Sequence, residues 1–195
     1  MKGKTVKHTL ITLAVAMSLG FAGGAHAAMS KADYKTQKDR IAADYKAAKG
    51  QCSSVKANAQ DICKAEAKGK HDVAKAELEA QYEPSPRHDA KVIKEKAEAD
   101  YKVAKEKCDD QSGNAKDVCK KDAKAAYESA KGNAKVTKAI EEKGPNSTKA
   151  AGAAAAARED TTDAQYSAAK ERCDTMSGQA KDDCITSAKK KFGKM

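Results

Sequence analysis

The stretch ADYKVAKEKCDDQSGNAKDVC, residues 99–119, holds two cysteines, Cys108 and Cys119, with Ser112-Gly113-Asn114 between them. The residues on either side are strong helix formers, chiefly Ala, Lys and Glu. One continuous helix would place the two sulfurs about 16 Å apart on a shared face. A disulfide needs Cα atoms within about 7 Å, so the pair bonds locally only if the chain doubles back. Gly113 can take the left-handed conformation that ends a helix. Asn114 is placed to cap the helix that follows, with Asp117 near its positive start. The segment therefore reads as a helical hairpin closed by one disulfide.

The same pattern occurs three times. Cys52/Cys63, Cys108/Cys119 and Cys173/Cys184 are each eleven residues apart, and Tyr45, Tyr101 and Tyr166 each stand seven before the first cysteine. Six cysteines allow fifteen connectivities; identical spacing across a turn makes nearest-neighbour pairing the economical one. Repeat three has Ser177-Gly178-Gln179 at its turn. Repeat one has Asn58 and Asp61 in the matching places but no glycine, so its turn around Ser53–Ala57 should be looser or differently shaped. Pro84-Ser85-Pro86 and Gly144-Pro145-Asn146-Ser147 separate the repeats, and Ser85 can cap a helix that has Pro86 in its first turn. The expected organisation is an all-α chain of three helical hairpins joined by short Pro/Gly breaks. Hairpin one occupies 28–84 and hairpin two 85–145, while 146–195 holds an Ala-rich segment and hairpin three.

Apolar residues recur at helical spacing, as in Ile93, Ala97, Tyr101, Ala104 and Cys108, and make narrow seams. His71 stands where Tyr127 and Phe192 stand in the other repeats, which makes it a packing residue. The run Ala153–Ala157 is either a helix extension or a linker.

Residues 1–27 read as a targeting segment. Lys2, Lys4 and Lys7 are followed by an apolar run, Leu10–Ala22, and by Ala25-His26-Ala27, a small-x-small cleavage pattern. Cleavage after Ala27 gives a mature chain starting at Ala28, periplasmic or secreted, in a compartment where disulfides persist. Removal of three lysines lowers the net charge from +10 to +7. From residue 28 onward, Leu78, five Ile, six Val and Phe192 are the only large aliphatics and Phe, about 8 % of the chain. That is well below the roughly 20 % under which a highly charged chain tends to be disordered, whereas Ala, Lys, Glu, Arg and Leu make up half of it, as in a long helix or coiled coil. The helices should be good and the core thin, and disulfides are the usual reinforcement for such a chain.

No catalytic constellation stands out. There is no Cys-x-x-Cys redox pair, no nucleophile elbow, no glycine-rich phosphate loop and no Cys-x-x-Cys-His haem motif. Zinc would need clustered Cys and His, and the mature chain has only His71 and His88. No cofactor is expected. Nucleic acid is a poor partner for an exported chain whose basic residues are interspersed with 28 acidic ones, as in Glu98/Lys102 and Asp117/Lys121.

The block A-D-Y-K-x-A-K-x-x-C followed by N-A-x-D-x-C, at Ala43–Cys63 and Ala99–Cys119, resembles a group of Ala/Lys-rich, paired-cysteine exported proteins of Gram-negative bacteria. Some of these are labelled TolA-like cell-envelope proteins. An exported helical repeat with no catalytic motif is expected to have a non-enzymatic structural or interaction role in the envelope; its partner is open between envelope proteins and, for a mildly basic surface, anionic envelope surfaces. TolA-type proteins keep a membrane anchor and have a C-terminal partner-binding domain not recognisable here, so no functional residue carries over. The alternative is a module that binds anionic envelope ligands, or metal under stress.

Overall fold

The computed structural model describes residues 29–194; the expected leader and its cleavage site lie outside the described residues. Six α-helices follow one another: α1 Lys31–Gln51, α2 Asn58–Tyr82, α3 Pro86–Cys108, α4 Gly113–Lys143, α5 Thr148–Cys173 and α6 Gly178–Lys191. The first helix of each repeat starts on a serine cap. Ser30 Oγ accepts from the Asp33 N–H, Ser85 Oγ from His88 and Ser147 Oγ from Ala150, at 3.0–3.2 Å. Pro86 occupies the first turn of α3, as its missing N–H allows. The alanine run 153–157 is helix, the interior of α5.

Each pair of helices within a repeat is stapled as the spacing implied. Cys52–Cys63, Cys108–Cys119 and Cys173–Cys184 are disulfides with Cα–Cα distances of 5.6, 5.6 and 5.7 Å. Gly113 and Gly178 both have φ +55 at the hairpin turns. Repeat one reaches the same reversal differently. A single 3-10 turn, Cys52–Ser54, precedes Ala57, which takes φ 52 where the other repeats have glycine. A side chain in that region costs of order 1–3 kcal/mol, more than the 0.4–1 kcal/mol by which glycine loosens the unfolded chain. Ala57→Gly should therefore stabilise the protein by about 1 kcal/mol and raise Tm by roughly 2–4 °C. Calorimetry checks this; a lower Tm would mean that the turn is unstrained.

One local expectation fails. Asn114 does not cap α4: Ser112 holds the cap position, and no side chain bonds there. Asn114 Nδ2 instead donates to the backbone carbonyl of Glu171, 2.8 Å away in the next repeat. Of the two charge pairs read from spacing, Glu98–Lys102 forms at 2.7 Å. No Asp117–Lys121 pair occurs among the described residues.

Among the described residues, every helix packs only against its neighbours in sequence. The two seams on one helix lie on opposite sides of it. His71 of α2 meets Tyr45 of α1, and two residues earlier Gly69 meets Ala99 of α3. Tyr101 of α3 meets Tyr127 of α4, and two residues before Tyr101 is Ala99. Two helical residues are about 200° apart, so each internal helix has a neighbour on either side and open faces above and below. The protein is a layer one helix thick. In such a layer few large side chains can be surrounded. The buried residues are alanines, Gly69, Gly132, Leu78 and one cysteine of each staple. The thin core expected from composition is a direct consequence of this architecture.

Candidate functional site: seams and faces of the helical layer

Within each repeat the hairpin seam is built from one aromatic pair above the disulfide. Tyr45–His71, Tyr101–Tyr127 and Tyr166–Phe192 have ring centroids 4.6, 5.0 and 6.3 Å apart. Tyr34 and Tyr82 stack at 4.4 Å near the far end of hairpin one. His71 is a packing residue, as its repeat position implied, and its Nδ1 lies 3.0 Å from Asp72 Oδ1.

The seams between repeats were not legible beforehand. At α2/α3 and α4/α5 the backbones approach closely at Gly69/Ala99 and Gly132/Ala157. A methyl built on either glycine would lie 2.7 Å from the facing alanine Cβ. Asparagines five residues before the second cysteine lock the register. Asn58 Nδ2 donates to the carbonyl of Glu106 at 2.6 Å and to Asp110 Oδ1 at 2.8 Å, and Asn114 repeats the carbonyl bond. Ion pairs flank the seams, among them Lys91–Glu79 at 2.5 Å, Lys96–Glu77 at 2.7 Å and Arg172–Asp122 at 2.5 Å. These are exposed, and each contributes little on its own. The signal for these seams was a glycine deep inside a long helix, which costs about 1 kcal/mol unless a close neighbour requires it.

The turns of repeats two and three carry a second, electrostatic clasp. Asp109, next to Cys108, accepts from Lys120 and Lys116, both at 2.9 Å. Hydrogen bonds from Lys120 and then Lys116 hold its carboxyl at about 2, below its ordinary 3.8. Asp174 meets Lys181 at 2.8 Å in the equivalent place and is lowered for the same reason. A folded-state pKa below the unfolded one stabilises above the unfolded value and is lost as pH falls through the folded value. The Tm of the native protein should thus fall more steeply between about pH 4 and pH 2 than that of Asp109→Asn. High salt should shrink the difference, because the clasp is exposed. Parallel acid titrations of the two proteins would contradict the clasp.

The open faces of the layer differ. On one face, the grooves over the seams are charged, with Asp72, Lys75 and Glu79 at α2/α3 and Lys124, Glu128 and Asp160 at α4/α5. On the other face, an open groove of about 720 Å³ runs over α2/α3, floored by Gly69, Val73, Ala99 and Val103. Through Ala104 it adjoins a second groove along hairpin two, where Ala115, Val118 and Ala123 line the Cys108–Cys119 staple. The charged side chains lining the first groove are of both signs, Glu66 and Asp100 with Lys70, Lys96 and Lys107.

No reactive centre accompanies these grooves among the described residues. All six cysteines are in disulfides, and no three His, Cys, Asp or Glu side chains converge as a metal would need. None of the described helices is long and apolar enough to cross a membrane. No protein-family model, curated protein or solved structure matches the chain.

Proposed function

We propose that the protein is a non-enzymatic, periplasmic helical repeat protein with a structural or interaction role in the cell envelope, of the TolA-like kind that its repeated block resembles. The observation that carries this reading is the grooved apolar face left uncovered on a layer stapled at every hairpin. Staples keep a thin layer flat and rigid in an oxidising compartment. A rigid surface loses little entropy on binding, which favours docking. Val73 and Val103 supply apolar contact, and the mixed charges at the rim set orientation.

The test places a photo-crosslinking side chain at Val103 or at Lys124, on opposite faces, in the exported protein. Irradiation of intact cells should give discrete envelope adducts from Val103 and none from Lys124. Equal labelling from both faces, or no adduct from either, overturns the reading.

A second reading, binding of anionic envelope surfaces, is favoured by Lys189 and Lys190, exposed in the last turn of α6 beside Lys191. Titration against anionic vesicles at two salt concentrations separates the readings, because a charge-driven partner weakens with salt. The metal form of this alternative has no convergent donor set among the described residues to argue from.

A further inference from the structure

In a layer of helices only the two outermost edges lack a neighbour, and this chain finishes them differently. On α6, Lys190 stands six residues after the second cysteine, where Gly69 and Ala125 stand in the other repeats. Gln179 replaces the register-locking asparagine and turns back to Asp183 at 2.8 Å. Asp183, Thr186 and Lys190 thus give α6 a bulky, charged outer edge that closes the array.

The outer edge of α1 is built like an internal seam. Ala43 lies nine residues before the first cysteine, as do Ala99, which faces Gly69, and Ala164, which lines the groove over the α4/α5 seam. Thr36, Ala43 and Gly50 are spaced by sevens and so form one small-residue stripe, and all three are exposed. A Cβ built on Gly50 would meet nothing within 4 Å.

Charge supplies an independent observation. Every other helix makes at least one salt bridge within the chain, whereas α1 makes none among the described residues. Its charges are nonetheless patterned. Asp39 and Lys46 lie on one flank of the stripe, and Arg40 and Asp44 on the other; all four are exposed. In an antiparallel helix pair related by a two-fold axis, each flank meets its own copy. With Ala43 placed against Ala43 of a second copy, Thr36 falls opposite Gly50. Asp39 then comes within about 1.5 Å of the level of Lys46, and Arg40 within about 3 Å of that of Asp44, each pair occurring twice. The edge is complementary to itself in both shape and charge.

We propose that α1 pairs antiparallel with α1 of a second copy, forming a two-fold dimer across the Thr36–Ala43–Gly50 stripe. The seam repeats the close small-residue packing already present at Gly69/Ala99 and Gly132/Ala157. An antiparallel two-fold pair places the axis perpendicular to the layer, so both grooved faces look to the same side. The closed α6 edge stops growth there, giving a dimer in place of a filament. This inference stands independently of what the grooves bind.

The test is sedimentation equilibrium of the exported, oxidised full chain, with thermal melts to verify folding of each variant. The wild type should be a dimer. Ala43→Glu should weaken association by about tenfold or more with an unchanged melt in the monomer range. Asp39→Lys should weaken it as well, and adding Lys46→Asp should restore it, which a merely misfolded variant would not do. Ala43→Cys should form an intermolecular disulfide on mild oxidation, and Lys190→Cys should not. A wild type that stays monomeric at about 0.1 mM overturns the proposal, and so does a dimer indifferent to Ala43→Glu. An oligomer disrupted by Lys190→Glu instead would place the contact on α6 and equally refute it.

Discussion

Reduction of the three disulfides should abolish the cooperative thermal transition while leaving most of the far-UV helical signal. Each staple closes a loop of eleven-residue separation, for which chain-entropy reasoning gives about 3 kcal/mol. Three such contributions are comparable to the whole stability of an ordinary domain, roughly 5–15 kcal/mol. Little else is available to replace them. The buried residues are mostly alanine, and each methyl contributes under about 1 kcal/mol. The helices themselves are 14–31 residues long and rich in Ala and Lys, so the longer ones retain helicity without tertiary support. Limited proteolysis of the reduced protein should cut first near Ser112-Gly113 and Ser177-Gly178. If reduced and oxidised protein melt alike, the staples do not hold the layer together and the cysteines serve another purpose.

Gly132→Leu should be the most damaging single substitution away from the cysteines. The position faces Ala157 so closely that even a methyl would lie 2.7 Å from the Ala157 Cβ and 3.2 Å from its Cα. A leucine must push α4 and α5 apart, at a cost of about 3 kcal/mol. The expected fall in Tm is roughly 6–12 °C. Gly152→Ala provides the contrast. Gly152 lies inside α5 with nothing within 4 Å of a built Cβ. There alanine should stabilise by about 1 kcal/mol through helix propensity alone. Opposite signs at two helical glycines would localise the effect to the seam. If Gly132→Leu is as benign as Gly152→Ala, the repeats are not welded where the structure joins them.

What the sequence made legible and what it concealed divide along one physical line. The hairpins were readable because their determinants are local. Two cysteines too far apart on a single helix, with a glycine between them, force a reversal within eleven residues. The aromatic seam was readable because Tyr101 and Tyr127 stand at fixed offsets from those cysteines. The unusual turn of repeat one was announced by its missing glycine and appears as the φ of Ala57. Asn114 was misread because capping and inter-repeat bonding want the same side chain in the same place. Its actual partner, Glu171, is 57 residues away. The glycines at 69 and 132 gave no local sign of which helix they would face. The uncovered faces were hidden for a related reason. Alanine satisfies a one-layer array and a closed bundle equally well in periodicity, and only the opposition of the two seams on each helix separates them.

The layer itself is the claim on which the rest depends, and a distance across it is the most direct check. Spin labels on unnatural amino acids at Ala42 in α1 and Lys189 in α6, both exposed, lie at opposite ends of the array. Samples diluted with unlabelled protein suppress distances between copies. Five helix-to-helix steps at the short end of the 8–10 Å packing range predict a separation of about 40 Å by pulsed electron spin resonance. A distribution centred near 20 Å, as a closed bundle of six helices would give, contradicts the one-helix-thick layer and the faces and edges derived from it.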